Sequence, residues 1–265
     1  MSPESMVAEG GPGQWEITVS PKYGIEAVDN AYRFKNCIKE IARAHNHSCT
    51  FMTKPYAASN SGAHFNHSLW ETESGRNAFF DEAEKYNMSK IAKHWIAGLQ
   101  HHARGLMALL CPTVNCYRRV VPNNWVPINN TWGFENRTAS LRFKSHGANA
   151  TFLENRVPSS ACNPYLVAAA VIIAGIDGID KEMLISDEMK GTNHDQCPTG
   201  TKSLPVTLEE AILSLKKDDM ITKEFGEEFI KQFSLTKELE IQGAAQAECG
   251  DRLLEWERNL YWTYI

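Results

Sequence analysis

The stretch from Asn136 to Leu166 constrains this chain most. It holds two short β-like runs, Asn136-Arg137-Thr138-Ala139-Ser140-Leu141-Arg142-Phe143 and Thr151-Phe152-Leu153-Glu154-Asn155-Arg156-Val157-Pro158, and then Asn163-Pro164-Tyr165-Leu166. Side chains alternate faces along a strand. Glu154 and Arg156 therefore share one face of the second run, and Thr138, Ser140 and Arg142 share one face of the first. Arg137 is out of phase with Arg142 and can join it only from the strand's mouth or across a bulge. Arginines beside a carboxylate on a sheet face suit phosphate, a substrate carboxylate and a divalent cation. The pattern equally suits a solvated face with surface ion pairs, and spacing alone leaves both readings open.

The rest of the chain supplies enough apolar residues to back such a sheet. Of 265 residues, 43% are hydrophobic and 22% charged, which is ordinary for a globular chain of one large domain or two small ones. The net charge is −5, with scattered basic residues, which argues against nucleic acid or an anionic membrane as the main partner. The longest apolar run, Leu166 to Ala174, is too short to span a bilayer. Seven cysteines without a Cys-x-x-Cys pair, and no signal-peptide core at the start, lead us to expect reduced thiols in a cytoplasmic protein.

In chain order, residues 1–8 have no periodicity and read as a disordered or appended start. Gly10 to Gly13 is a loop, and Gln14 to Ser20 a short strand. Glu9 and Glu16 flank that loop. One straight strand could not put them on a shared face, but a folded-back loop could; two surface glutamates is the other reading. Glu26 to Asn46 and Met88 to Leu110 have helical periodicity, the latter capped by Ser89 and stopped by Pro112. Cys49 to Met52 and Ala63 to Trp70 read as strands. His101 and His102 find no acidic partner at helical spacing and read as packed or solvated. Pro112 to Gly133 is a long polar loop, of a length that is usually functional or disordered. Asn163 to Ile179 is an apolar, buried helix. Lys190 to Leu204 is a polar connection, and helices over Leu208 to Lys216, Ile221 to Phe233 and Thr236 to about Tyr261 finish the chain.

Taken together and in order, these motifs resemble the glutamine synthetases. Asn136 to Arg142 matches their Asn-Arg-Ser-Ala-Ser-Ile-Arg element, and Glu154 to Pro158 with Asn163 to Leu166 the next one. Gly13-Gln14-Trp15-Glu16, Phe51 to Pro55, Ser61-Gly62-Ala63-His64 and Tyr117 to Pro122 match others. The resemblance covers residues 9–265. It implies an α+β catalytic-type domain, a curved antiparallel sheet backed by helices. An amino-terminal β-grasp domain and a strand with two more metal-binding glutamates would precede it. It also implies stacked hexameric rings forming a dodecamer.

The implied reaction phosphorylates glutamate with ATP and displaces the phosphate with ammonia, using magnesium or manganese. By resemblance, Glu9 and Glu16 would ligate one metal, and His64 and Glu154 the second. Arg119 and Arg156 would bind the glutamate carboxylates, Arg137 and Arg142 would face the transferred phosphate, and Ser68 would lie by the nucleotide. The departures concern the same site. Asn66 replaces a histidine against the nucleotide phosphates, Trp125 replaces the flap glutamate, and Phe152 replaces a nucleotide-facing arginine. An amide cannot become cationic and an indole cannot take a proton at neutral pH. This loss of site residues on a kept framework is similar to a vertebrate lens member of the family that lacks synthetase activity. It implies a structural or chaperone-like role in lens fibre cells, with intermediate-filament proteins as partners. The alternative is an active glutamate–ammonia ligase, or a γ-glutamyl ligase for another amine.

Overall fold

The computed structural model describes residues 2–122, 126–191, 196–247 and 250–265. Strands β1 (Pro3–Ala8) and β2 (Trp15–Val19) pair antiparallel, so the start of the chain is a strand and not irregular. Its residues are exposed throughout, which removes the inside–outside alternation that would have marked it. Helix α1 (Ile25–Ala44) follows. Next come the short strand β3 (Phe65–His67), helix α2 (Lys90–Leu110) and the single turn α3 (Val114–Tyr117). Residues 49–52, read as a strand, form no regular element.

Strands β4 (Trp132–Phe134), β5 (Leu141–Ser145) and β6 (Thr151–Asn155) join β3 in one sheet, in the order β3-β6-β5-β4. Pairing is antiparallel except between β4 and β5, which run parallel. Thr138 and Ser140 lie before β5, in a turn. Their hydroxyls bond to Asn136 and Thr131 and do not share a strand face with Arg142.

Register sorts the sheet's two faces. Asn66, Glu154 and Arg142 are directly opposite one another across β3, β6 and β5. The other face carries His67, Leu153 and Phe143, and packs on α2, where the Trp95 indole donates to His67 Nε2 at 2.9 Å. Burial lowers the His67 pKa to about 4, which keeps the ring a neutral acceptor.

Helix α2 begins where Ser89 Oγ accepts the Ala92 N–H at 3.1 Å, a cap worth about 1 kcal/mol. Of the apolar stripe Ile91, Trp95, Leu99, Leu106 and Leu109, the last four are fully buried, whereas Ile91, in the first turn, is exposed. Helix α4 (Pro164–Asp180), capped by Asn163, crosses it. Helices α5 (Leu208–Lys216), α6 (Asp219–Phe225), α7 (Glu227–Gln246) and α8 (Asp251–Tyr261) complete the layer. Gly226, at φ 89°, breaks the run read as one helix through Phe233. The final helical run is likewise two helices, α7 and α8. No described helix is long and apolar enough to cross a membrane.

His102 does have acidic partners, but they arrive from other helices. Its Nδ1 lies 2.7 Å from Asp218 and its Nε2 3.0 Å from Asp177. A ring with a carboxylate on each nitrogen carries both protons. Burial opposes that charge, yet the Asp218 and Asp177 hydrogen bonds prevail and raise the pKa above its ordinary 6.5. This stabilisation is complete below pH 6.5 and is lost as the pH rises through the raised folded value. Asp177 moves the other way: burial opposes, but Lys181 and His102 lower it below its ordinary 3.8. Its share is present above 3.8 and is lost as the pH falls through the lowered value. The urea midpoint of the native chain is therefore expected to fall between pH 6 and pH 9, and less so in His102→Gln. Equal falls in the two proteins would refute the account.

Candidate functional site

Glu154 is the centre of the sheet's open face. It is 6% exposed, and alternation on β6 turns it away from the core side occupied by Leu153 and Asn155. Its Oε1 lies 2.6 Å from Arg156 Nη1 and 3.1 Å from His64 Nδ1. Its Oε2 accepts from Arg142 Nη1 at 3.1 Å. Burial alone would raise this carboxyl; the His64 hydrogen bond and the Arg156 and Arg142 charges override it and bring the pKa down to about 2. Arg156 is itself lowered by burial, against the opposing pull of Glu154.

Arg142 also uses its Nε and Nη2 on Glu135, with Nε 3.1 Å from Glu135 Oε2. Sequence reasoning missed Glu135. It lies one residue past β4, outside any strand, at φ 50°, and its carboxylate meets Arg142 on β5. Arg119 is buried, and donates to the carbonyls of Ser61 (3.0 Å), Pro158 (3.4 Å) and Arg156 (3.2 Å). It ties the segment before His64 to the segment after β6. Gly62 lets these groups approach closely: a Cβ there would lie 3.1 Å from Arg119 Nη1 and 3.5 Å from His64 Nε2.

The structure thus gathers His64, Glu154, Arg142 and Arg156, with Arg119 beside them. Arg137 is exposed in the turn before β5. Ser68 is just past β3, accepting the Trp70 indole N–H at 2.9 Å. Asn66 is opposite Glu154. Phe152 lies under Lys144, whose Nζ is 4.8 Å from the ring centroid. Trp125 lies outside the described residues.

Glu9 and Glu16 meet the requirement the sequence left open. The hairpin pairs Val7 with Glu16 and Ala8 with Trp15, and the Glu9 N–H donates to Gln14 O at 2.9 Å. Residues opposite one another in an antiparallel pair share a face. Glu9, Gln14 and Glu16 therefore lie on one face of the hairpin. Gln14 Nε2 docks that face by donating to Asn60 O at 2.9 Å, beside the segment leading to His64.

Among the described residues, no three His, Cys, Asp or Glu side chains gather as a metal-binding group. The donor chemistry explains this at Glu154. Both its oxygens already face cationic or ring donors, and two guanidinium groups on one carboxylate disfavour a divalent cation beside it. As arranged, the His64–Glu154 pair does not fit a metal.

Residues 1–261 match the family model for the glutamine synthetase catalytic domain. The chain is 33% identical over 263 residues to a glutamine synthetase of Methanocaldococcus jannaschii, covering 97% of this chain and 56% of that protein. It is 31% identical over 258 residues to lengsin of Canis lupus familiaris, covering 96% and 44%. A solved structure described as a GmaS/ADP complex superposes with a TM-score of 0.85 at 29% identity, covering 97% of this chain and 59% of that one. The chain spans about half the length of the curated relatives it matches. Identity does not separate synthetase from lengsin, so the site's chemistry has to.

Proposed function

The chain belongs to the glutamine synthetase catalytic-domain family, and on that premise we propose that it is a non-catalytic relative of these ligases. Its role in this reading is structural or chaperone-like, in the cytoplasm of lens fibre cells. It works as an assembly of several copies, with intermediate-filament proteins as partners. The lens assignment is supported by the run Phe134 to Lys144, which resembles that of the lens member of the family; lengsin is one of several relatives of similar identity.

One observation supports the absence of turnover in this reading: Glu154 is engaged by Arg142, Arg156 and His64. Phosphoryl transfer to a carboxylate depends on cations that neutralise the phosphates. Here the cationic groups neutralise the protein's own glutamates. The neutral Asn66 opposite Glu154 adds no charge. Losing such charge stabilisation costs about two to three orders of magnitude in rate. What this chain's residues do instead is hold the sheet's open face closed on itself.

The second reading, an active ATP-dependent γ-glutamyl ligase, is favoured by Glu9 and Glu16 sharing the docked face of the hairpin. Manganese titration followed by electron paramagnetic resonance separates the two. The free-ion spectrum is expected to persist at equimolar metal. A bound spectrum that is abolished by Glu154→Gln would favour the ligase.

A further inference from the structure

Arg142 stands on the sheet's open face, on β5, with one guanidinium edge, Nε and Nη2, directed at a single oxygen of Glu135. That edge is the one a phosphoryl oxyanion engages through two parallel N–H donors. We propose that Glu135 is a built-in anion occupying the oxyanion subsite of Arg142, so that a phosphoryl group enters only when Glu135 turns away. This rests on the reading of Arg142 as phosphate-facing, and goes beyond it by naming what fills the subsite and excludes the ligand.

Three features of the structure carry it. The first is backbone strain: Glu135 has a φ of 50°, a left-handed conformation that non-glycine residues seldom take. The second is that both neighbours are fixed, which holds Glu135 there. Phe134 stacks on Tyr86 at 4.3 Å, and Asn136 Nδ2 donates to Met189 O at 2.8 Å and Gly191 O at 2.9 Å. The Glu135 N–H also donates to Phe143 O at 3.0 Å. The third is that the carboxylate is held unevenly. Its Oε2 takes both Arg142 donors, while Oε1 is 2.9 Å from His146 Nε2 without hydrogen-bond alignment. Arg142 is thus the main tether, and breaking that one contact frees the carboxylate. With Glu135 in place, the charges of Arg142 and Arg156 are balanced by Glu135 and Glu154. Without it the row carries a net positive charge.

The test is calorimetric titration of inorganic pyrophosphate and of ADP, without metal, into this chain and into Glu135→Gln. Folding is checked by circular dichroism. Glu135→Gln is expected to bind pyrophosphate at least about tenfold more tightly than the native chain. ADP should gain by a similar factor, and the gain should vanish in Glu135→Gln/Arg142→Gln. If Glu135→Gln does not fold, Glu135→Asp, whose carboxylate is one methylene short of Arg142, must show the same direction. Unchanged or weaker pyrophosphate binding overturns the proposal, and so does a gain confined to ADP. If the gain survives in the double variant, Arg142 is not the subsite and the underlying reading fails. If there is no gain, yet Arg142→Gln alone weakens binding, only the role of Glu135 fails. No arm depends on turnover, so the result stands apart from whether the protein is a ligase.

Discussion

Gly98→Ala is expected to destabilise the protein by about 3 kcal/mol, at the upper end of overpacking costs. A Cβ at Gly98 would lie 2.1 Å from Ala174 O and 2.8 Å from Gly178 Cα. The obstacle is the backbone of α4, which cannot rotate away as a side chain can. Gly178 is placed reciprocally, with its own Cβ position 2.2 Å from His94 O. The helices would have to separate along the seam where the Trp95 ring lies against Gly175 and where Leu99, Val171 and Ala174 are buried. The sheet rests on α2 through His67 and Trp95, so the loss would reach the site. Urea denaturation of Gly98→Ala measures it, and a change under about 1 kcal/mol would mean the crossing is looser than described.

Glu154→Ala is expected to cost about 3–5 kcal/mol, the usual result of removing one partner from a buried ion-pair network. It leaves Arg156 and Arg142 facing each other without their shared carboxylate. Glu154→Gln keeps the shape but not the charge, and is expected to cost less. Denaturation at pH 7 gives both values. The comparison matters for function as well as stability. A carboxylate kept for metal chemistry can be removed at little cost to the fold, whereas one kept to hold arginines cannot. A Glu154→Ala variant as stable as the native chain would therefore count against a self-satisfied site.

Much of the helical layer was legible because its signals are local. Ser89, read as a cap, accepts a backbone N–H at the start of α2, as Asn163 and Thr207 do at the starts of α4 and α5, and the stripe of α2 is read from its spacing. Glu154 and Arg156 were legible for a similar reason, since strand alternation puts them on one face. What stayed hidden depended on distant or irregular backbone. The partners of His102 are 75 and 116 residues along the chain, so no periodicity on α2 could announce them. Glu135 reaches Arg142 across the β4–β5 register, which pairs Gly133 with Arg142, and from a left-handed turn; neither is visible in the sequence. The face shared by Glu9 and Glu16 needed the hairpin register. That register was invisible while the exposed residues of β1 showed no alternation. Gly226 sits where a helical pattern runs on through the chain, and its positive φ alone divides it.

In the proposed reading, the arginines and glutamates of the sheet's open face satisfy one another and not a substrate. The most direct measurement is γ-glutamyl hydroxamate formation with manganese, ATP and hydroxylamine. It should be made on the protein joined to the amino-terminal half found in its longer relatives, and checked for folding and assembly. The account predicts no product above background. Product formed at the rate of an ordinary glutamine synthetase would contradict it, and would mean that ligands displace the Glu154 and Glu135 ion pairs during turnover.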